Sequence, residues 1–274
     1  MTMKYVFIFL TLSFLYSSCN IERRLYSPTQ VNNPSLQGKK DYSLSLAFSA
    51  PSGFDFNGGY AITNRLAVIG GLYTYKNKDK EEQYFPILSS NRDSTALSYK
   101  HKGFHAGAGI YLPLSQKKSS AFISFFGGYT KGDFEMREKF YEISPVPSTS
   151  PKLNFYKSDI NRWFIQGGIH SYHELINFSF ITRFNYVGYS NVTTDYTFDQ
   201  QASFNFPPLA YPKWSSFLDF SFDTKIFFSK KQMVGLQLFG TATTRLNKKD
   251  FNFYIYPFRL GIGVVLKSPF NNKR

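Results

Sequence analysis

Ile176-Asn177-Phe178-Ser179-Phe180-Ile181-Thr182-Arg183-Phe184-Asn185-Tyr186-Val187-Gly188-Tyr189 is the stretch on which the reading of this chain turns. Ile176, Phe178, Phe180, Thr182, Phe184 and Tyr186 take the even positions, and Asn177, Ser179, Ile181, Arg183 and Asn185 the odd ones. Successive side chains of a strand point to opposite faces, so the stretch is a strand with one apolar and one polar face. It is longer than the five or six residues usual in soluble sheets. It is also long enough to cross a bilayer as a tilted strand, which takes about 9–11 residues.

The same alternation recurs from residue 41 to residue 267 and predicts ten strands. Tyr42, Leu44, Leu46 and Phe48 share a face in the first; the second covers about 55–62 and the third 66–75. The fourth covers 98–112, the fifth 120–132, the sixth 155–171, and the opening stretch is the seventh. The eighth sets Leu218, Phe220, Phe222, Thr224, Ile226 and Phe228 against Asp219, Ser221, Asp223 and Lys225. The ninth points Val234, Leu236 and Leu238 outward, and the tenth covers 251–267. Tight turns at 63–65, 115–118, 172–174 and 229–231 alternate with connections at 50–54, 77–97, 134–154, 191–212 and 247–250, of which three are long. Short turns at one end and long loops at the other, with an even strand count, are the pattern of outer-membrane barrels. The expected fold is all-β, a closed antiparallel transmembrane up-and-down β-barrel of ten strands, with eight as the alternative if the weak first hairpin is dropped.

Composition agrees with this. Phe (31) and Tyr (20) are abundant while apolar residues make up only 42% of the 274, and no apolar run is long enough for a spanning helix. A soluble β-sandwich or lipocalin-like barrel also alternates, but with shorter strands. The net charge of +14 is scattered over turns and loops (Lys117-Lys118, Lys230-Lys231, Lys248-Lys249, Lys273-Arg274) and forms no single face, which favours anionic lipid head groups or surface sugars over nucleic acid. One cysteine excludes an internal disulfide or a cysteine metal cluster.

Residues 1–18 have one basic residue, Lys4, an apolar core from Val6 to Leu15 and Ser17-Ser18, and so predict a cleaved signal peptide. Small residues directly before Cys19 resemble the lipobox of bacterial lipoproteins, with Tyr16 where that pattern has Leu. Cys19 is therefore the candidate lipid-attachment residue, ordinary cleavage near Ser18 being the alternative. Residues 19–40 are polar and rich in turn formers, which predicts a tether or a segment folded against the barrel mouth, with a plain linker preferred. Residues 41–267 form the barrel and 268–274 a short periplasmic tail, which puts both termini in the periplasm.

Inward parity falls on Arg162, Arg183, Asp219, Asp223, Lys225, Arg245 and Arg259. A ten-stranded barrel is barely wider than one that side chains fill, and buried charges must be paired. A salt-bridged interior network with no wide pore follows. Gly-Gly pairs at 58–59, 70–71, 127–128 and 167–168 can relieve crowding.

In this arrangement the chain resembles the ten-stranded outer-membrane β-barrels of Gram-negative bacteria, in lipoprotein form if Cys19 is acylated. The resemblance covers residues 41–267, and Arg259-Leu260-Gly261-Ile262-Gly263-Val264-Val265-Leu266 is similar to the assembly signal on the last strand of such barrels. It implies outer-membrane lipids and the barrel-assembly machinery as partners.

Chemistry-bearing patterns are sparse. His101 and His105 share a strand face but lie about 13 Å apart at roughly 3.3 Å per residue, too far to chelate one metal. His170 and His173 flank a predicted turn and read as rim residues. Omptin-type proteases use acids and a His near the outer rim; Asp195, Asp199, Asp133 and Glu135 lie near loops, with His101 the only nearby histidine. No catalytic residue, metal or cofactor is expected. The external aromatics Tyr84, Phe85, Phe140, Tyr141, Tyr196, Phe198, Phe204, Phe206 and Tyr211 are the candidate binding surface, by stacking on sugars or a protein partner. The expectation is a non-enzymatic structural or binding barrel in the cell outer membrane. A narrow channel for small solutes is the second reading and a rim hydrolase the third.

Overall fold

The structure is a computed structural model, described here for residues 23–50, 52–82, 94–114, 120–141, 152–173, 175–203, 206, 213–246 and 254–268. The predicted signal peptide and Cys19 lie outside the described residues.

The alternating segments become strands β2 (Tyr42–Ala50), β3 (Gly53–Ala61), β4 (Leu66–Glu82), β5 (Ser94–Pro113), β6 (Ser120–Tyr141), β7 (Lys152–Tyr172), β8 (Ile176–Thr194), β9 (Lys213–Phe227), β10 (Val234–Arg245) and β12 (Phe258–Lys267). Consecutive strands pair antiparallel, and β12 pairs with both β10 and β2, which closes a ten-stranded barrel. The eight-stranded alternative is thereby set aside. Two short strands, β1 (Arg24–Tyr26) and β11 (Tyr254–Ile255), form a separate parallel ladder, and a short helix, α1 (Phe198–Ser203), follows β8.

Polarity is inverted relative to a soluble protein. On β8, Ile176, Phe178, Phe180, Phe184 and Tyr186 are exposed on the outer wall, while Asn177, Ser179, Arg183 and Asn185 are buried in the lumen. Ten steps from Ile176 to Tyr186, at about 3.3 Å each and tilted about 40°, span about 25 Å, the height of the apolar band of such barrels. At the long-loop edge of this band the outer wall carries ring pairs, Tyr129 with Trp163 (centroids 4.8 Å apart) and Tyr186 with Trp214 (4.6 Å). Rings of this amphipathic kind suit the membrane interface.

Three predicted loops start later than the alternation suggests. Lys76 to Glu82 pairs with residues 94–100, and β6 continues through Asp133 to Tyr141 against both neighbours. Above the apolar band the faces exchange character: Lys76, Lys78, Lys100 and Arg137 are exposed on the outer side, while Leu97, Tyr99, Phe134, Met136 and Tyr156 are buried inside. The ladder therefore continues past the point where apolar residues leave the outer face. The tenth predicted strand is split. Pro257 has no N–H to give a ladder, and the residues before it leave the wall to form β11, with Pro257 O accepting from Thr243 N.

The largest departure concerns residues 19–40. The expectation is a tether or a segment folded against the barrel mouth, with a plain linker preferred, but residues 25–36 lie buried within the barrel (Leu25 0%, Thr29 2%, Gln30 2%, Ser35 1% exposed). The physical reason is the polar interior. A segment rich in Ser, Thr, Asn and Gln is as well matched to a lumen lined by charges and amides as to water, because its side chains and main chain can pair with those groups. Past Leu36 the chain reverses through Lys40, at φ 69°, and enters β2.

Candidate functional site: the plugged lumen

Wall side chains reach inward and grip the segment mainly by its main chain. Arg259 Nη1 donates to Pro28 O (2.8 Å), Arg183 Nη2 to Thr29 O (3.0 Å) and Gln166 Nε2 to Asn32 O (2.9 Å). Lys225 Nζ donates to Asn33 O and to Ser35 Oγ (3.0 Å), and Tyr189 Oη to Leu25 O (3.2 Å). Plug side chains answer in kind. Asn32 Nδ2 donates to Gly58 O and Gly70 O (2.9 Å each), Asn33 Nδ2 to Asp223 Oδ2 (2.9 Å), and Gln30 Oε1 accepts from Asn57 (2.8 Å).

The expected network is present, and the plug completes it. Arg183 pairs with Asp219 (2.8 Å), Lys225 with Asp223 (3.2 Å) and Arg259 with Asp55, every partner being almost wholly buried. Asp219 also accepts from Asn185 and Thr243, and Asp223 from Gln237. Arg162 is held by the hydroxyls of Thr29 and Thr130 (3.0 Å each from Nη2). Without the plug, Arg162, Arg183, Lys225 and Arg259 would each lose an acceptor; pairing is what makes their burial tolerable. Arg245, the seventh residue of the predicted set, sits half-buried at the long-loop end of β10, opposite Phe217. Asp55 belongs to the network and was not singled out beforehand. Its inward parity, shared with Asn57, was the available signal.

Two clusters close the ends. At the short-turn end Leu36 packs with Ala61, Ala67, Ile69, Tyr111, Phe122 and Tyr172. At the long-loop end Leu25 and Tyr26 pack among aromatics that include Tyr75, Tyr99, Tyr189, Tyr256 and Phe217, with Tyr26 stacked on Phe217 at 4.2 Å. There Arg23 pairs with Glu138, and Tyr196, beyond the end of β8, donates to the same carboxylate. Burial, with Glu138 alongside, pushes the Tyr196 hydroxyl well above its ordinary pKa.

The predicted aromatic surface divides. Phe198 is exposed (79%), but Tyr196 and Phe206 are buried in the mouth cluster, 5.2 Å apart, and form core rather than a free surface. Phe140 and Tyr141 end β6. Tyr84, Phe85, Phe204 and Tyr211 lie outside the described residues. A different feature marks the outer wall at this end. The cross-strand rows Lys76–Lys100–Glu135 and Lys78–Ser98–Arg137 border a cavity of about 590 Å³ with a basic rim.

Three of the four histidines are interior groups, and His173 is exposed after the end of β7, as expected of a rim residue. His101 Nε2 lies 3.2 Å from Tyr73 Oη, and His105 Nε2 3.3 Å from Asn32 Nδ2. His170, expected at the rim, is buried between Ser124 Oγ (2.7 Å) and Ser179 Oγ (2.9 Å). The reason is parity: His170 shares the inward face of β7 with Arg162 and Gln166. None of the four acids weighed for rim catalysis meets a histidine. Asp133 pairs outward with Lys102, Glu135 with Arg137, Asp195 accepts from Phe155 N, and Asp199 opens α1. Among the described residues no three of His, Cys, Asp and Glu converge as a metal site.

Comparison with known proteins places this arrangement. No family model matches the sequence, and no curated protein matches it. Among solved structures, the outer membrane protease OmpT of Escherichia coli superposes with a TM-score of 0.52 at 7% identity, over 89% of this chain and all of that one. A loop-deletion form of OmpT, an outer membrane protein of Vibrio cholerae, covers 83% of this chain and 98% of its own at 7% identity, with a TM-score of 0.23. The architecture is that of an outer-membrane β-barrel. At such identity the likeness concerns fold alone.

Proposed function

We propose that the chain is a non-enzymatic outer-membrane barrel, stoppered by its own amino-terminal segment and oriented with its short turns in the periplasm and its long loops outside. Its role is structural or surface-binding. The observation that carries this reading is the occupied lumen: residues 24–36 run its length and supply acceptors to the buried cations. At the outer end, the basic rim formed by Lys76, Lys78, Lys100 and Arg137 suits an anionic surface glycan or an acidic protein segment.

Planar-bilayer conductance tests the stopper. The intact protein is expected to give no steady current, and a variant lacking residues 23–36 is expected to give discrete openings. Steady current from the intact protein would displace this reading in favour of the narrow solute channel.

A further inference from the structure

The plug has a direction. Its last residues lie at the short-turn end, where Leu36 packs against Ala61 and Ala67 and Lys39 N donates to Asn64 Oδ1 (3.0 Å) of the 63–65 turn. Traced backwards, Asn33 meets Asp223, Asn32 meets His105, Thr29 meets Arg162 and Arg183, and Pro28 meets Arg259. Leu25 then joins the upper aromatic cluster, and Arg23 reaches Glu138, near the far end of β6. Twelve peptide steps from Arg24 to Leu36 span up to about 40 Å, enough to traverse a hydrocarbon core of about 30 Å. The end of β12 stays behind: Lys267 pairs with Ser43, and its N–H donates to Met233 O at the short-turn end.

We propose that the amino-terminal end of the plug is displayed at the long-loop mouth, on the cell-surface side, opposite the end of β12. The barrel closes around this leading segment during assembly. Closure supports the order of events. The cylinder is sealed only when β12 has paired with both β10 and β2, and β11, immediately before it, pairs with β1 of the plug. Threading the segment through a finished barrel would require burying Arg162, Arg183 and Arg259 without their plug acceptors first. Cys19 is four peptide units from Arg23, a reach of at most about 15 Å, so a group attached there would be carried at the outer mouth. The cell-surface placement rests on the orientation proposed above.

Labelling with a membrane-impermeant maleimide tests it, each variant being made in a Cys19→Ser background so that it carries a single cysteine, with Cys19→Ser alone as blank. Asn20→Cys and Ile21→Cys report the amino-terminal end of the plug. Asp199→Cys in α1 reports the long-loop end and Lys231→Cys the short-turn end, both sites being exposed. The expected result is that Asn20→Cys, Ile21→Cys and Asp199→Cys label on intact cells, while Lys231→Cys labels only after permeabilisation. If Asp199→Cys labels on intact cells and both amino-terminal variants do not, the display is wrong and the orientation stands. If Asp199→Cys labels only after permeabilisation and Lys231→Cys labels without it, the orientation itself is wrong and the cell-surface placement falls with it.

Discussion

Asp219 holds Arg183, the wall arginine that grips Thr29 of the plug, and its removal gives the sharpest prediction. Its carboxylate has no exposed surface and accepts from Arg183 Nε (3.0 Å) and Nη2 (2.8 Å), Asn185 Nδ2 (2.8 Å) and Thr243 Oγ1 (2.7 Å). Asp219→Ala leaves the Arg183 guanidinium buried, with the Thr29 carbonyl and hydroxyl as its remaining described acceptors. Stranding one member of a buried ion pair destabilises by about 3–5 kcal/mol. Replacing both members, Asp219→Ala with Arg183→Met, removes the uncompensated charge and is expected to recover most of that loss. The assay is equilibrium urea unfolding of the four members of the cycle in lipid vesicles, followed by tryptophan fluorescence. A single variant within about 1 kcal/mol of wild type, or a double variant whose loss equals the sum of the single losses, would refute the coupled network.

Other perturbations test the same architecture at different points. A Cβ built on Gly59 would lie 2.4 Å from Pro34 Cβ, so Gly59→Val is expected to dislodge the plug at a cost of about 1–3 kcal/mol; bilayer recordings should show openings absent from wild type. Phe180→Arg sets a charge on the outer wall in the middle of the apolar band and is expected to cost about 2–4 kcal/mol, read as reduced insertion into vesicles. Tyr196→Phe removes one donor from Glu138 while Arg23 remains, a loss of about 1 kcal/mol. Limited proteolysis should then cut near Arg23 faster while the barrel stays intact.

The barrel was readable because its information is repeated. Ten alternating stretches, and turns that are short at one end, point independently to one closed sheet, and the parity of each strand places Arg162, Arg183, Asp219, Asp223, Lys225 and Arg259 inside. The plug was not readable from local sequence. Pro28 to Ser35 has no period of 2 or 3.6, and its Thr, Gln, Asn and Ser residues describe a hydrated linker equally well. What could have exposed it is a charge count: four buried cations, Arg162, Arg183, Lys225 and Arg259, face Asp219 and Asp223 of the predicted set, so acceptors had to come from elsewhere. The upper parts of β4 to β7 were missed for another reason: there the apolar side chains, such as Phe134 and Met136, turn inward and the charged ones outward, the reverse of the pattern lower in the wall. Tyr196 and Phe206 misled in the opposite direction, because loop aromatics at a barrel mouth can fold inward and cap what lies in the lumen.

Arg259, Arg183, Gln166, Lys225 and Tyr189 hold the plug by the carbonyl oxygens of Pro28, Thr29, Asn32, Asn33 and Leu25. Every amino acid brings such an oxygen, whereas no other side chain reproduces the reach and fork of an arginine. The two halves of the contact therefore differ in their freedom to vary. Where only its carbonyl is used, as at Leu25 and Pro28, the threaded segment can change so long as it remains extended and narrow, while Thr29, Asn32 and Asn33, whose side chains also pair with the wall, and the wall positions themselves are held to one chemistry. Among descendants of this chain, the stopper would drift at its carbonyl-only positions and its socket would stay the same.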